Sequence, residues 1–343
     1  MLSAFYRFIR IVYIFIALLG VPANVVALAV LSRGRCGLSI CTTRYLVAMA
    51  AADQLIILIN VVLWRFSSYY FPGVFLHITP VCSLISVLGR VVTGCSVWFT
   101  VWFTFDRFVA ICFHKLKTKF CTGKTASAVM TTTSVLLSLQ RIPYYFTYEP
   151  LRVVDNVPWF CLQKASYFTD PGWVAFDWVN TLLMPLIPFA LILLFNALTV
   201  RHVVFSSRVR RGLRGQRGGG SCSDPEMESR RRSMILLFAI SGSFILLWSV
   251  HVGHFLYYTT GGADPNHHND SEFIFLQVGQ LLLTLSCCTN TFIYALTQSK
   301  FRENLVNAVK FPITSVIRLI RKPDSGSRRS QLKAFPIQME HNS

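Results

Sequence analysis

Several charged side chains stand inside runs that are otherwise apolar, among them Asp53, Arg90 and the adjacent pair Asp106 and Arg107. The pair lies in the run WFTFDRFVAICF at residues 102–113. A charge surrounded by hydrocarbon is costly, and it is retained where it pairs with another group, binds an ion or works as a switch. These residues are therefore the first candidates for a functional role.

Two other patterns have the residue types for chemistry, and neither completes its motif. The segment TGKT at 122–125 resembles a phosphate-binding loop, but Thr118 stands where that motif needs its first glycine. His251 and His254 have the spacing of paired metal ligands, yet no third ligand accompanies them. The sequence therefore predicts that the protein is not an enzyme.

The composition is that of a membrane protein. Of the 343 residues, 53% are hydrophobic and 14% are charged, whereas soluble chains carry roughly 25% charged residues. A transmembrane helix needs about 20 apolar residues. Runs of this kind lie near residues 8–32, 44–68, 80–113, 124–147, 173–204, 232–259 and 273–297. We predict an all-α membrane protein with a bundle of seven transmembrane helices.

Lysine and arginine set the predicted orientation. Of the 33 basic residues, 25 lie in four connecting segments, at 31–44, 113–124, 201–232 and 298–343. Because basic loops stay in the cytoplasm, the N-terminus is expected outside and the C-terminus inside. This bias accounts for most of the net charge of +18 without nucleic acid, and it brings the tail close to anionic membrane lipids.

The C-terminal part is predicted to contain a surface helix and a disordered tail. Phe301, Leu305, Val306 and Val309 fall on one face at helical spacing, which is typical of a helix lying on a membrane. The predicted domains are therefore a membrane domain with this helix, at 1–312, and a disordered cytoplasmic tail, at 313–343.

Two of the ten cysteines, Cys82 and Cys161, have extracellular positions in this topology. Since that compartment is oxidising, we expect a disulfide between them. The others, which lie in the membrane or the cytosol, are expected to be free thiols. Asn269 begins the triplet Asn-Asp-Ser on the outer side, so it is a candidate glycosylation site.

Five short motifs occur in order along the predicted helices. They are GVPAN at 20–24, LVAMAAAD at 46–53, DRF at 106–108, FILLWSV at 244–250 and NTFIY at 290–294. With seven spans and a cysteine at the top of the third, they resemble the class A (rhodopsin-like) G-protein-coupled receptors over roughly residues 8–312. Within that class, LVAMAAAD, RIPYY at 141–145 and the proline-free NTFIY are similar to the orphan receptor 139/142-like branch.

The resemblance implies a conformational switch at the cytoplasmic end of the third helix. Arg107 would pair with Asp106 at rest and turn toward a G protein when active, with Trp248, Asn290 and Tyr294 as further switch residues. The alternative is an arginine that merely snorkels beside a local partner. Arg230 stands where the family often has an acidic partner for Arg107, so no ion pair is expected there.

The resemblance also implies an allosteric sodium site, and no other cofactor. Asp53 would hold the ion with Ser96, Ser286 and Asn290, and Asn24 would lie nearby. The alternative is a protonated Asp53 whose hydrogen bonds hold the helices together.

A ligand site is expected in the outer half, around Arg90. Gly89 stands where amine receptors of the family carry an aspartate, which argues against a biogenic amine. Cationic side chains outnumber acidic ones, so we expect a ligand with a carboxylate and an aromatic body, such as an aromatic amino acid or a peptide end. The candidate residues are Arg90, Arg141, Asp177, His251, His254 and Phe255. The alternative is an internal Arg90–Asp177 ion pair.

The expected function is that of a plasma-membrane receptor that binds an extracellular small molecule or peptide and activates a heterotrimeric G protein. Val250 and Thr291 replace prolines that bend the sixth and seventh helices in the family. A non-signalling decoy or scaffold receptor therefore stays open as an alternative. A membrane transporter is disfavoured because no internal repeat is found.

Overall fold

Long helices joined by short connections make up the fold. A computed structural model describes residues 2–214, 225–261 and 270–320. Within these residues the long helices are α1 (Leu2–Ser32), α2 (Ile40–Ile56, continued by a π-helical segment Ile57–Phe66 and the turn Ser67–Tyr70), α3 (Thr79–Cys112), α4 (Gly123–Arg141), α5 (Pro171–Thr181, Leu182–Leu186 and Ile187–Arg214), α6 (Pro225–Gly261), α7 (Asp270–Thr297) and α8 (Ser299–Ile320). Short helices occupy Phe75–His77, His114–Phe120 and Ala165–Thr169.

Six of the described helices are long and apolar enough to cross a bilayer, namely α1, α2, α3, α5, α6 and α7. The other helix of the bundle, α4, is rich in Thr and Ser. It packs against α2 and α3. It continues as a 3₁₀ segment, Ile142–Thr147, so the apolar run at 124–147 divides between two kinds of helix. The fold is the predicted all-α seven-helix bundle, followed by α8.

The outer surfaces of the helices carry large apolar side chains. Leu18, Leu246 and Leu296 are 65%, 71% and 79% exposed. Such continuous apolar exposure is rare on a protein that faces water. It fits helices whose outer faces contact lipid.

Several helices begin at a residue whose side chain caps the first helical turn. Ser39 accepts a hydrogen bond from the backbone N–H of Thr42 (3.2 Å) at the start of α2. Thr122 does the same for α4, and Asp170 for α5, through Gly172 N–H at 2.7 Å. Each cap satisfies a backbone donor that the first helical turn leaves unpaired.

The helix α5 is interrupted at Leu182–Leu186. Pro185 has no N–H for the helical ladder, and Met184 has an extended backbone there (φ −164°, ψ 103°). The Leu183 carbonyl accepts a hydrogen bond from the Trp98 indole of α3 at 3.2 Å. The interruption thus also places the Met184 side chain beside the cavity described below.

A nested hairpin lies between α4 and α5. Strand β1 (Tyr148–Glu149) pairs with β4 (Leu162–Gln163), and β2 (Arg152–Val154) pairs with β3 (Val157–Trp159). Its tip, Asp155 and Asn156, has φ of 51° and 61°, which these two residue types tolerate better than most. The Cys82–Cys161 disulfide joins the hairpin to the start of α3, with Cα atoms 6.2 Å apart. We call this end of the bundle the disulfide end and the opposite end the Arg107 end.

Residues Met1–Leu305 form one packed unit. In its core, Val97 and Val101 of α3 pack with Ile192 of α5 and Trp248 of α6. The helix α8 runs to Ile320, beyond the boundary predicted at residue 312. The predicted tail from residue 321 onward lies outside the described residues.

Candidate ligand cavity, polar core and switch region

A cavity of about 420 Å³ opens between the helices at the disulfide end. Its lining includes Asn60, Arg90, Arg141, Asp177, His251 and Gln280. This volume falls within the usual range for small-ligand sites, about 300–1,000 Å³. We call it the arginine cavity.

Arg90 and Arg141 share one aromatic ring in this cavity. The guanidinium carbons lie 4.2 Å (Arg90) and 5.8 Å (Arg141) from the centroid of the Tyr144 ring. Such contacts are attractive because the ring face is negative. Arg90 Nη2 also donates to the Tyr148 hydroxyl at 3.4 Å, and Arg141 Nη2 lies 3.6 Å from the Met184 sulfur. The Nε of each arginine is buried without a hydrogen-bond acceptor.

The Asp177 carboxylate is hydrogen-bonded to two tyrosine hydroxyls. Its Oδ1 accepts hydrogen bonds from Tyr144 at 3.1 Å and from Tyr167. Burial, together with the nearby Tyr144, raises the pKa of the Tyr167 phenol, so this group stays a donor. In the described part of the chain no ion pair joins Arg90 or Arg141 to Asp177. The alternative of an Arg90–Asp177 pair is therefore not the arrangement found.

The histidines of α6 divide between two environments. His251 lines the cavity and meets Trp248 edge-on, with ring centroids 5.9 Å apart. His254 is not among the lining residues and packs against Phe275 at 5.3 Å. The Phe255 side chain lies outside the described residues. Of the six predicted ligand residues, Arg90, Arg141, Asp177 and His251 thus come together, and His254 lies outside the cavity lining.

Arg65 is a lining residue that the sequence analysis did not single out. Its Nη1 donates to Tyr69 and Gln277, each at 3.2 Å, and its Nη2 donates to Gln280. Its guanidinium carbon lies 4.4 Å from the centroid of the Tyr13 ring. Arg65 thus links α1, α2 and α7, and its donors are used inside the protein. Its position inside the apolar run at 44–68 is the sequence signal that could have identified it.

The predicted sodium residues meet around Asp53, which is 1% exposed. Its Oδ1 accepts from Ser96 Oγ at 2.6 Å, and its Oδ2 accepts from Asn290 Nδ2 at 2.8 Å. A small cavity of about 10 Å³, lined by these three residues and Ser286, lies beside the carboxylate. A space of this size suits one water-sized occupant. Because all four residues offer oxygen atoms, the donor set fits a hard cation.

Asn24 has a different role from the one expected near the ion. Its Nδ2 donates to the Cys287 carbonyl at 3.0 Å, and its Oδ1 accepts from Thr291 Oγ1 at 3.1 Å. Thr291 stands where the family usually has proline, and here its hydroxyl ties α7 to α1. Both α6 and α7 are continuous helices in their described residues.

At the Arg107 end, Arg107 and Asp106 form a buried ion pair. Arg107 Nε donates to Asp106 Oδ2 at 3.0 Å, and Nη1 donates to Ser233 of α6 at 3.3 Å. The Cys41 thiol donates to Asp106 Oδ1 at 3.0 Å. Arg107 borders a cavity of about 320 Å³ that also contacts α6 and the start of α8. The Arg230 side chain lies outside the described residues.

Two other predicted switch residues, Trp248 and Tyr294, lie on α6 and α7. Trp248 is buried, stacks on Phe244 at 5.0 Å and donates to Ser286 Oγ at 3.2 Å. Tyr294 is fully buried and meets Phe301 of α8 edge-on at 5.8 Å. Trp248 thus connects the arginine cavity to the Asp53 region.

The predicted Cys82–Cys161 disulfide is present. The described cysteines other than these two are free, as expected for thiols in the membrane or the cytosol. Asn269, the candidate glycosylation site, lies outside the described residues.

Comparison with known proteins identifies the family. The sequence profile of the family described as "7 transmembrane receptor (rhodopsin family)" matches residues 23–294. An FMRFamide receptor of Drosophila melanogaster is 22% identical over 84% of this chain and 51% of its own length. A C5a anaphylatoxin chemotactic receptor 1 of Oncorhynchus mykiss is 27% identical, over 67% and 61%. The mouse (Mus musculus) probable G-protein coupled receptor 142 is 25% identical, over 84% and 69%.

This chain therefore spans about half to two thirds of the length of these relatives. The family and these relatives are receptors, not enzymes, and the apolar helices make the protein a multi-pass membrane protein. Because the match covers more than half of the chain, this protein belongs to the rhodopsin family of seven-transmembrane receptors.

Proposed function

We propose that this protein is a plasma-membrane receptor that binds a carboxylate-bearing ligand with an aromatic or large apolar body and activates a heterotrimeric G protein. In this proposal the disulfide end and the N-terminus are extracellular, and the Arg107 end and α8 are cytoplasmic. The observation that carries it is the pair of guanidinium groups in the arginine cavity whose Nε atoms have no acceptor.

The charge balance of the cavity supports an anionic ligand. A buried cation needs an anion from the protein or from the ligand. Asp177 is held by two tyrosines, and Arg90 and Arg141 are held by a ring face and weak acceptors. A ligand carboxylate at the two arginines would supply the missing acceptors. The rings of Tyr144 and Tyr148 offer an aromatic surface for the rest of the ligand.

The mechanism we propose links the cavity to the switch through α6. A ligand that contacts His251 acts one helical turn from Trp248, which connects to the Asp53 region. Opening at the Arg107 end would separate Arg107 from Ser233 and expose the cleft to a G protein. The ligand must bind the open state more tightly than the closed one for this to occur. Sodium at Asp53, if bound, would stabilise the closed state.

The similarity to the probable G-protein coupled receptor 142 favours placement in the orphan receptor 139/142-like branch, which we retain as part of the proposal. The absent prolines of α6 and α7 favour a second candidate, a decoy or scaffold receptor that binds ligand without signalling. The two candidates differ in their response to ligand at the G protein.

The test is ligand-dependent nucleotide exchange on purified G proteins. Aromatic amino acids and short peptides are compared with their amidated counterparts, using protein reconstituted in lipid nanodiscs. The proposal expects exchange that rises with a carboxylate-bearing compound and falls sharply when that carboxylate is amidated. Binding of such compounds without exchange on any G-protein class would establish the decoy instead.

A further inference from the structure

A groove of about 950 Å³ lies on the outer face of the bundle at the Arg107 end, between α3 and α5. This groove is separate from the arginine cavity and from the cavity beside Arg107, because it has no lining residue in common with either of them. Its floor and walls are apolar, with Phe108 and Phe113 on one side and Ala197 and Phe205 on the other.

Ring contacts pack the aromatic wall on the α3 side of the groove. Phe108 stacks on Phe195 with centroids 5.7 Å apart and meets Phe113 edge-on at 5.5 Å. Phe113 and Phe205 remain 45% and 67% exposed. The small side chain of Ala197 leaves depth between these rings. The groove therefore offers an apolar slot whose polarity suits an acyl chain.

The rim of the groove carries two arginines and a histidine. Arg201, His202 and Arg208 line it and are exposed. None of the three makes a hydrogen bond or ion pair with a residue that the structure describes, and no acidic residue is among the lining residues. An apolar slot next to unpaired positive charge is complementary to a molecule with an anionic head and a hydrocarbon body.

We propose that this groove binds one anionic phospholipid of the inner leaflet. Its phosphate would lie at Arg201 and Arg208, and one acyl chain would lie between Phe108 and Phe205. The inner leaflet follows from the proposed orientation, on which this assignment rests. Ala197 and Phe205 belong to the segment Pro171–Arg208, which is long and apolar enough to cross a bilayer, so this proposal places the apolar part of the groove in hydrocarbon. This position favours a lipid over a soluble partner.

The groove also adjoins the switch. Phe108 follows Arg107 directly in α3, and its contact with Phe195 joins α3 to α5. A lipid in the groove would bind both helices at once. Its retention therefore measures whether α3 and α5 keep this arrangement.

The test is native mass spectrometry of the full chain in detergent, titrated with phosphatidylinositol 4-phosphate or with phosphatidylcholine of identical acyl chains. We expect one tightly retained phosphatidylinositol 4-phosphate, with affinity at least tenfold above that of phosphatidylcholine. Arg201→Gln with Arg208→Gln should reduce this affinity at least tenfold. The matched control, Arg33→Gln with Arg35→Gln, removes the same charge from exposed arginines at the same end and should retain the lipid.

A second pair of variants tests the slot without changing charge. Ala197→Trp fills the groove and should reduce retention at least fivefold, whereas Leu193→Trp, on an exposed position of α5 outside the groove, should not. Equal loss in both arginine double variants would reduce the effect to general attraction by basic loops and overturn the proposal. Full competition by inositol 1,4-bisphosphate, with retention unchanged in Ala197→Trp, would also overturn it, because the rim would then bind phosphate alone. Neither measurement uses an agonist or a G protein, so the result is independent of receptor activity.

Discussion

The contact between Arg107 and Ser233 gives a direct way to perturb the switch. Arg107 Nη1 donates a hydrogen bond to Ser233 Oγ of α6 at 3.3 Å. Among the described residues, this is the hydrogen bond that joins Arg107 to another helix. The other hydrogen bonds of Arg107 go to Asp106, its neighbour in α3. Ser233→Ala therefore removes a tie between α3 and α6 and leaves the buried ion pair intact.

The size of the effect follows from the type of hydrogen bond. Bonds to charged groups contribute about 1.5–3 kcal/mol, and the long distance and partial burial place this one near the lower value. A loss of about 1.5 kcal/mol corresponds to about a tenfold shift toward the open state. Ligand-free nucleotide exchange per receptor should rise by up to about tenfold, provided that the closed state predominates.

The assay is basal nucleotide exchange by the purified variant in nanodiscs with a G protein. Ser249→Ala is the matched control, because the Ser249 hydroxyl bonds to Leu246 within the same helix, at 2.8 Å. If Ser233→Ala raised basal exchange no more than Ser249→Ala, Arg107 would not restrain α6 through this contact. The reasoning about the closed state would then be refuted.

Three further predictions concern other parts of the molecule. Replacing Cys82 or Cys161 by Ala should each reduce surface expression strongly, and the double variant should be no worse than either single one; additive losses would show that the two cysteines act independently. If Asp53 holds sodium, raising sodium at constant ionic strength should lower agonist affinity, and Asp53→Asn should erase that effect; equal sodium sensitivity in the variant would exclude the site. Burial and the nearby Asp106 raise the pKa of the Cys121 thiol to about 12. Since the thiolate is the reactive form, alkylation of Cys121 at pH 8 should be much slower than that of an ordinary cysteine and should accelerate as pH rises toward 12. In Asp106→Asn the acceleration should begin at lower pH, as peptide mass mapping would show; identical profiles would mean that the carboxylate does not act on this thiol.

Six of the seven helices of the bundle were predictable from hydropathy, because long apolar segments leave water. The Cys82–Cys161 disulfide was predictable for a related reason, since topology left those two cysteines on the oxidising side. The strands of the hairpin were not foreseen. They are two or three residues long, which is too short for an alternation of apolar and polar residues to be recognised in the sequence. The divided character of the fourth run, 124–147, was missed because α4 is only weakly apolar.

The sequence predicted which residues form the candidate sites better than it predicted the contacts between them. The family motifs indicated Asp53, Ser96 and Asn290, which the fold brings together. By contrast, the Cys41 thiol reaches Asp106 across 65 positions of sequence, and no local pattern signals such a contact.

The arginine cavity shows the same limit on prediction. Sequence alone favoured a ligand site and left an Arg90–Asp177 pair open as the alternative. Only the fold shows that Tyr144 and Tyr167 donate to the Asp177 carboxylate and that, among the described residues, no carboxylate pairs with Arg90 or Arg141.

The measurement that tests the central claim most directly is agonist potency on Arg90→Gln, for a carboxylate agonist and for its amidated analogue. Breaking a buried charge pair costs about 2–5 kcal/mol, so the carboxylate agonist should lose at least about 30-fold in potency, and the amidated analogue should lose far less. Arg152→Gln, an exposed arginine of β2, should leave both potencies unchanged. An equal loss for the two agonists on Arg90→Gln would contradict the account, because Arg90 would then support the fold of the cavity without binding the ligand's carboxylate.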